Sequence, residues 1–136
     1  MKTLGIDYGT KNIGLSLSDP DNKMAFPYDK ISPDIFFSKI NAIIEEEEIS
    51  RIVIGKPLNM KGNYTKMTDT VAEFKTQLEK AVQIPVFFQD ERLMSMQVDK
   101  GLQFMGINTK KRREVKDALE ATQILQQFLD IENAKN

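Results

Sequence analysis

The sequence contains no cysteine and no histidine. Without cysteine there is no disulfide scaffold, no thiolate zinc site and no cysteine nucleophile. Without histidine there is no imidazole base, no Ser-His-Asp triad and no histidine-ligated zinc. Catalysis is left to carboxylates, lysines, hydroxyls or a hard cation held by oxygen. No apolar run approaches the length of a bilayer span. The chain enters a strand at once, with no signal peptide ahead of it, so a cytoplasmic protein with no membrane partner is expected. Neither sign of charge dominates, since 19 basic residues face 20 acidic ones for a net charge of −1. A polyanionic partner has to be sought in local clusters rather than in the sum.

What is present suffices for one domain. With 136 residues, 40% of them hydrophobic, the chain can bury a sizeable core. A single domain over 1–136 is expected, with 132–136 as a frayed tail.

The stretch from Lys2 to Ser18 organises the rest. Leu4 and Ile6 form a short apolar strand that ends on Asp7. The turn Tyr8-Gly9-Thr10-Lys11-Asn12 follows, and then Ile13, Leu15 and Leu17 alternate with Gly14, Ser16 and Ser18. Two strands so closely linked make an antiparallel hairpin. After the turn Asp19-Pro20-Asp21-Asn22, residues Ala25 to Ile31 read as a third strand, at an edge because of Pro27.

Ser32-Pro33-Asp34 reads as a helix start, and Ile35, Phe36, Ile40, Ile43 and Ile44 follow at helical spacing. The acids Glu45 to Glu48 close this helix as a solvated end rather than a metal cluster. Arg51 to Gly55 is a β-branched run suited to a strand buried on both faces, hence parallel. A loop from Lys56 to Asn63 leads into a helix over about Thr65 to Ala81. Pro85 to Phe88 is another buried strand running into Gln89-Asp90-Glu91-Arg92. A short helix is expected over Leu93 to Leu102, a loop over Gly106 to Thr109, and a last helix from about Glu114 to Asp130.

The order β-β-β-α-β-α-β-α-α gives an α/β fold. Its sheet is mixed and five-stranded: an antiparallel meander of strands one to three plus parallel strands four and five, with helices on both faces. Right-handed crossovers put strand one in the middle, and a ligand is expected beyond the carboxyl ends of the parallel strands.

Acids fall at that edge. Asp7 ends strand one, Asp90 and Glu91 end strand five, and Asp117 lies early in the last helix. Asp117 shares a stripe with Ala121, Ile124 and Phe128, so it points at the sheet. Acids meeting at one point repel one another unless a divalent cation binds them. Two hard cations held by carboxylates are a standard device for phosphodiester chemistry. Taken singly, each acid has a plainer reading: Asp7 as a turn cap, Glu91 as the ion-pair partner of Arg92, Asp117 as a helix-dipole residue. Around the same edge lie Lys11, Lys56, Lys61 and Arg92. The run Lys110, Lys111, Arg112 and Arg113 sits just before the last helix, suited to phosphate contact.

These residues resemble the YqgF, or RuvX, family, a branch of the ribonuclease H-like superfamily related to RuvC. The resemblance rests on four stretches in family order. They are Leu4-Gly5-Ile6-Asp7-Tyr8-Gly9-Thr10-Lys11 with Ile13-Gly14 and Ser18-Asp19; Gly55 to Gly62; Asp90-Glu91-Arg92-Leu93; and Asp117-Ala118 with Ala121 and Ile124-Leu125. It implies a ribonuclease H-like fold and a nuclease dependent on Mg²⁺ or Mn²⁺. Its functional acids would be Asp7, Glu91 and Asp117, with Asp90 a weaker metal ligand. The implied substrate is structured RNA, through processing of the 5′ end of the 16S ribosomal RNA precursor. The alternative is branched DNA at a Holliday junction, cut by a homodimer. A module that binds nucleic acid without cutting it is a further alternative. The chain departs from the family pattern at Asn12, at Met94-Ser95 and at Glu120, which stands where a small residue is usual.

Overall fold

The computed structural model describes residues 1–57, 61, 63, 65–90 and 109–135. Strands β1 (Lys2–Asp7), β2 (Ile13–Ser18) and β3 (Ala25–Ile31) form the expected meander. Helix α1 (Pro33–Glu46), β4 (Ile49–Lys56), α2 (Lys66–Ala81) and β5 (Val86–Asp90) follow, and α3 (Thr109–Ala134) comes last. The sheet order is β3-β2-β1-β4-β5, with β1 central. β1 pairs antiparallel with β2 and parallel with β4, and β5 is parallel to β4.

Local chemistry sets the helix starts. The Ser32 side chain accepts from the Asp34 N–H at 3.3 Å, and Pro33 takes the first helical position, where a missing N–H costs nothing. At α2, Thr65 and Thr68 cap one another: the Thr68 side chain accepts from the Thr65 N–H at 2.9 Å, and the Thr65 side chain accepts from the Thr68 N–H at 3.4 Å. The Thr68 hydroxyl also donates to the Pro57 carbonyl, tying the start of α2 to the end of β4. α1 ends with Glu48 in the left-handed region, φ 55°, and the Glu47 carboxylate accepts from Lys2 Nζ at 3.2 Å. The acidic end of α1 is thus partly neutralised across the sheet.

Alternation splits β1 between two cores. Leu4 and Ile6 are fully buried and face α1 and α2, in a cluster with Ile13, Leu15, Phe36, Ile40, Ile52, Ile54, Phe74 and Leu78. Each such side chain removed from water stabilises the fold by about 1.5–3 kcal/mol. On the opposite face, α3 packs Ile124, Leu125 and Leu129 against Ala25 and Val53. Thr3, Gly5 and Asp7 belong to this second face by alternation. Close approach of α3 depends on two glycines. A Cβ on Gly5 would lie 2.7 Å from Leu125 Cβ, and one on Gly14 would lie 2.0 Å from the Asp117 carbonyl oxygen. The buried Ser16 hydroxyl donates to the Ala121 carbonyl at 2.7 Å, adding a polar tie between β2 and α3.

Two elements have bounds that differ from the sequence reading, while β5 ends on Asp90, one of the two acids expected there. β4 begins two residues before Arg51, at Ile49. Helix α3 begins at Thr109, five residues before Glu114, and continues to Ala134. The expected loop of basic residues before this helix is therefore its first turns: Lys110 to Arg113 carry no apolar periodicity, and periodicity set the expected start. At the far end, residues read as a tail are held. Glu132 pairs with Arg51, and Asn133 Nδ2 donates to the Asn22 carbonyl at 3.1 Å. The helix expected over Leu93 to Leu102 and the loop from Gly106 to 108 lie outside the described residues.

Candidate metal centre

β2 runs antiparallel to both of its neighbours, so β3 ends at the same edge of the sheet as β1. β4 and β5, parallel to β1, end there too. Asp7 is the last residue of the central strand at that edge. Its partner across the ladder is Gly14, and a Cβ on Gly14 would run into the backbone of α3 at Asp117. Absence of a side chain at Gly14 therefore brings Asp117 over Asp7. Glu120, one turn further along α3, joins them. The carboxylates of Asp7, Asp117 and Glu120 each present an oxygen, and these oxygens lie within 4.8 Å of one another. All three residues are half-buried.

The electrostatics follow from that crowding. Burial pushes the Asp117 carboxyl above its ordinary value of 3.8, and the neighbouring Glu120 charge pushes it further the same way. Lys30 and Lys116 pull it back. Lys30 lies opposite Gly14 in the β2–β3 ladder, in the same cross-strand row as Asp7. Lys116 pairs with Glu120 at 3.8 Å. Oxygen-only donors in a partly desolvated cluster suit a hard divalent cation, and such a charge would reverse the repulsion that raises Asp117.

The other residues picked out in the sequence are distributed as follows. Asp90 ends β5 at the same edge but stands outside the carboxylate group. β5 is two strands from β1, roughly 10 Å away at ordinary strand spacing. By alternation Asp90 also faces the α2 side, with Val86 and Phe88. Lys56 lies on that side as well, its Nζ 5.4 Å from the Phe88 ring centre. Lys11 is exposed in the β1–β2 turn. Lys110, Lys111, Arg112 and Arg113 occupy the first turns of α3; their side chains, like Glu91 and Arg92 altogether, lie outside what the structure describes. Sequence reasoning missed Glu120 and Lys30. Glu120 stands three after Asp117 on the same helical face, but the sequence showed it only as a departure from a position that is usually small. Lys30 became legible only with the register of β2 on β3.

The model of the RuvX family, described as Holliday junction resolvase, matches residues 1–131 of this chain. The chain belongs to the RuvX family. A relative from Maridesulfovibrio salexigens, named "Putative pre-16S rRNA nuclease", is 41% identical over 132 residues, spanning 95% of this chain and 98% of the relative. One of the same name from Oleidesulfovibrio alaskensis is 35% identical, spanning 96% and 93%. Among solved structures, RuvC from Thermus thermophilus superposes with a TM-score of 0.57 at 13% identity, over 98% of this chain and 97% of RuvC. Fowlpox virus resolvase, solved with Holliday junction DNA, superposes with a TM-score of 0.61 at 9% identity, over 97% and 99%. RuvX membership and these likenesses make the fold ribonuclease H-like, as the sequence motifs imply. Among the described residues, no helix is long and apolar enough to cross a membrane.

Proposed function

We propose that this RuvX member is a divalent-cation-dependent nuclease that hydrolyses phosphodiester bonds in structured RNA, with the 5′ end of the 16S rRNA precursor as its target. The observation that carries this reading is the convergence of Asp7, Asp117 and Glu120 at the carboxyl end of the central strand. The names of the relatives support the choice of RNA. Glu91, which follows Asp90 at the end of β5, completes the acidic set in this reading. Mg²⁺ or Mn²⁺ bound there would neutralise phosphate charge and acidify water, the two requirements of this hydrolysis. The chain's own residues hold and orient. Asp7 and Asp117 approach from two elements locked together at Gly14, so their spacing is preorganised.

Cations around the edge draw in the polyanion. Lys30 acts on Asp117 directly, Lys11 stands exposed in the turn that follows Asp7, and Lys56 ends β4 at the same edge; Arg92 joins them in this reading on its sequence motif alone. The run Lys110 to Arg113 belongs to the first turns of α3, the end whose dipole favours an anion such as a phosphate backbone. A second reading, cleavage of branched DNA, is favoured by the description of the family itself; it would call for a homodimer, so that two strands are cut symmetrically, working in the cytoplasm.

The test is incubation of purified protein with labelled precursor-rRNA fragment, single-stranded RNA and a four-way DNA junction, with and without Mn²⁺ or Mg²⁺. The expected result is RNA cleavage that requires the ion and disappears in Asp7→Asn. Cleavage that persists in EDTA contradicts the mechanism. Junction cleavage alone selects the second reading, and binding without cleavage under every ion means a module that has lost its chemistry.

A further inference from the structure

Tyr8 follows Asp7, and by alternation its ring goes to the other face of the sheet. There it packs on Phe74 of α2, ring centres 4.6 Å apart. Phe37 of α1 reaches the same Phe74 at 5.7 Å. Beside these packed rings lies a cavity of about 310 Å³, lined by Tyr8, Pro33, Phe37 and Phe74 and by Thr70, Glu73 and Gln77 of α2. Its volume is at the small end of the roughly 300–1,000 Å³ seen for ligand sites, enough for one small planar group. The cavity reaches the edge where β1 ends, since Tyr8 directly follows β1 and Pro33 begins α1 just after β3.

We propose that this cavity is a slot for one unpaired nucleobase of the substrate strand, selecting bases that carry an exocyclic amino group. The inference rests on the nuclease reading above and deepens it: the substrate must offer a splayed or single-stranded nucleotide beside the scissile phosphate. The exposed Phe37 ring and the half-buried Tyr8 ring, both propped on the buried Phe74, give apolar surface on which a base can stack. Glu73 and Gln77 project from neighbouring turns of one face of α2, at a spacing of four. A carboxylate only accepts hydrogen bonds, so Glu73 repels a phosphate and takes an N–H. Cytosine, adenine and guanine offer an amino group, whereas uracil and thymine do not. With Asp7 and Tyr8 consecutive and facing opposite sides, a strand crossing this edge meets the acids with a phosphate and the slot with the adjoining base.

The test uses Asp7→Asn protein to prevent turnover, with oligouridines carrying one internal 2-aminopurine. The expected result is quenching of the 2-aminopurine emission on binding. Phe37→Ala and Glu73→Ala should each weaken that binding about five-fold or more, the lower end of a lost base stack or hydrogen-bonded contact. Glu73→Ala should not weaken plain oligouridine binding, because uracil offers no amino group and the lost carboxylate only repelled phosphate. Both side chains are exposed, and a melting curve confirms folding. Absence of quenching, or equal losses for both oligonucleotides in Glu73→Ala, overturns the slot. The two readings separate cleanly. Metal-dependent cleavage by the native chain with no effect of either substitution overturns the slot and leaves the nuclease. Selective quenching without any cleavage keeps the slot and removes the nuclease.

Discussion

At the scale of single residues, the site is built from side chains held against their own preference. Asp117 is raised in the fold by burial first and by Glu120 second, so its charged form is less favourable folded than unfolded. The linkage sign follows. Its contribution to stability is fully present below the ordinary value of 3.8 and is lost as pH rises through the elevated folded value. Asp117→Asn removes that penalty. Without metal at pH 7, the variant should melt about 1–4 °C above the native chain, a modest gain because water still screens the group. The difference should vanish in melts below the ordinary carboxylate range, and the same variant should lose RNA cleavage. Asp7 and Asp117 were legible in the sequence because strand and helix periods fix where they point. Glu120 was not, because it read as a departure from a family position that is usually small. Its role depends on how closely α3 approaches β1, which only packing determines.

At the scale of elements, the seating of α3 on the sheet is what positions the acids. Gly14 has an ordinary place in a strand, yet any side chain there would meet the Asp117 carbonyl at 2.0 Å. Backbone cannot swing away as a flexible side chain can, so α3 would have to shift. Gly14→Ala should cost about 1–3 kcal/mol in urea unfolding and should reduce cleavage beyond what the stability loss explains. Ser16→Ala removes the β2 hydroxyl that donates to α3 without stranding the Ala121 carbonyl, which lies inside the helix and keeps its place in the helical ladder. A loss of about 1 kcal/mol is expected, with cleavage retained. The glycine and serine alternation in β2 was visible in the sequence, but the helix that seats on it was not. The true start of α3 was hidden for a related reason. Lys110 to Arg113 are helical because the rest of the helix is docked, and nothing apolar in the run announces it.

At the scale of the whole molecule, the sheet order and both helix layers were readable from the order of elements, the proline in β3 and the short links between β1, β2 and β3. Handedness rules then left one arrangement that puts β1 in the centre. That arrangement gathers distant residues at one edge, where the carboxylates lie within 4.8 Å of each other. Such a gathering has a consequence for the entire fold: an ion that binds only the assembled site stabilises the folded chain in proportion to its concentration over its Kd. The most direct measurement is thermal melting of the native chain and of Asp7→Asn across a Mn²⁺ titration at fixed ionic strength. The native chain should gain stability with increasing Mn²⁺, by about 2.7 kcal/mol when the free ion is a hundredfold above its Kd, while Asp7→Asn stays nearly flat. Melting curves for both proteins that fail to move with Mn²⁺, or that move equally, would contradict a metal centre built on Asp7.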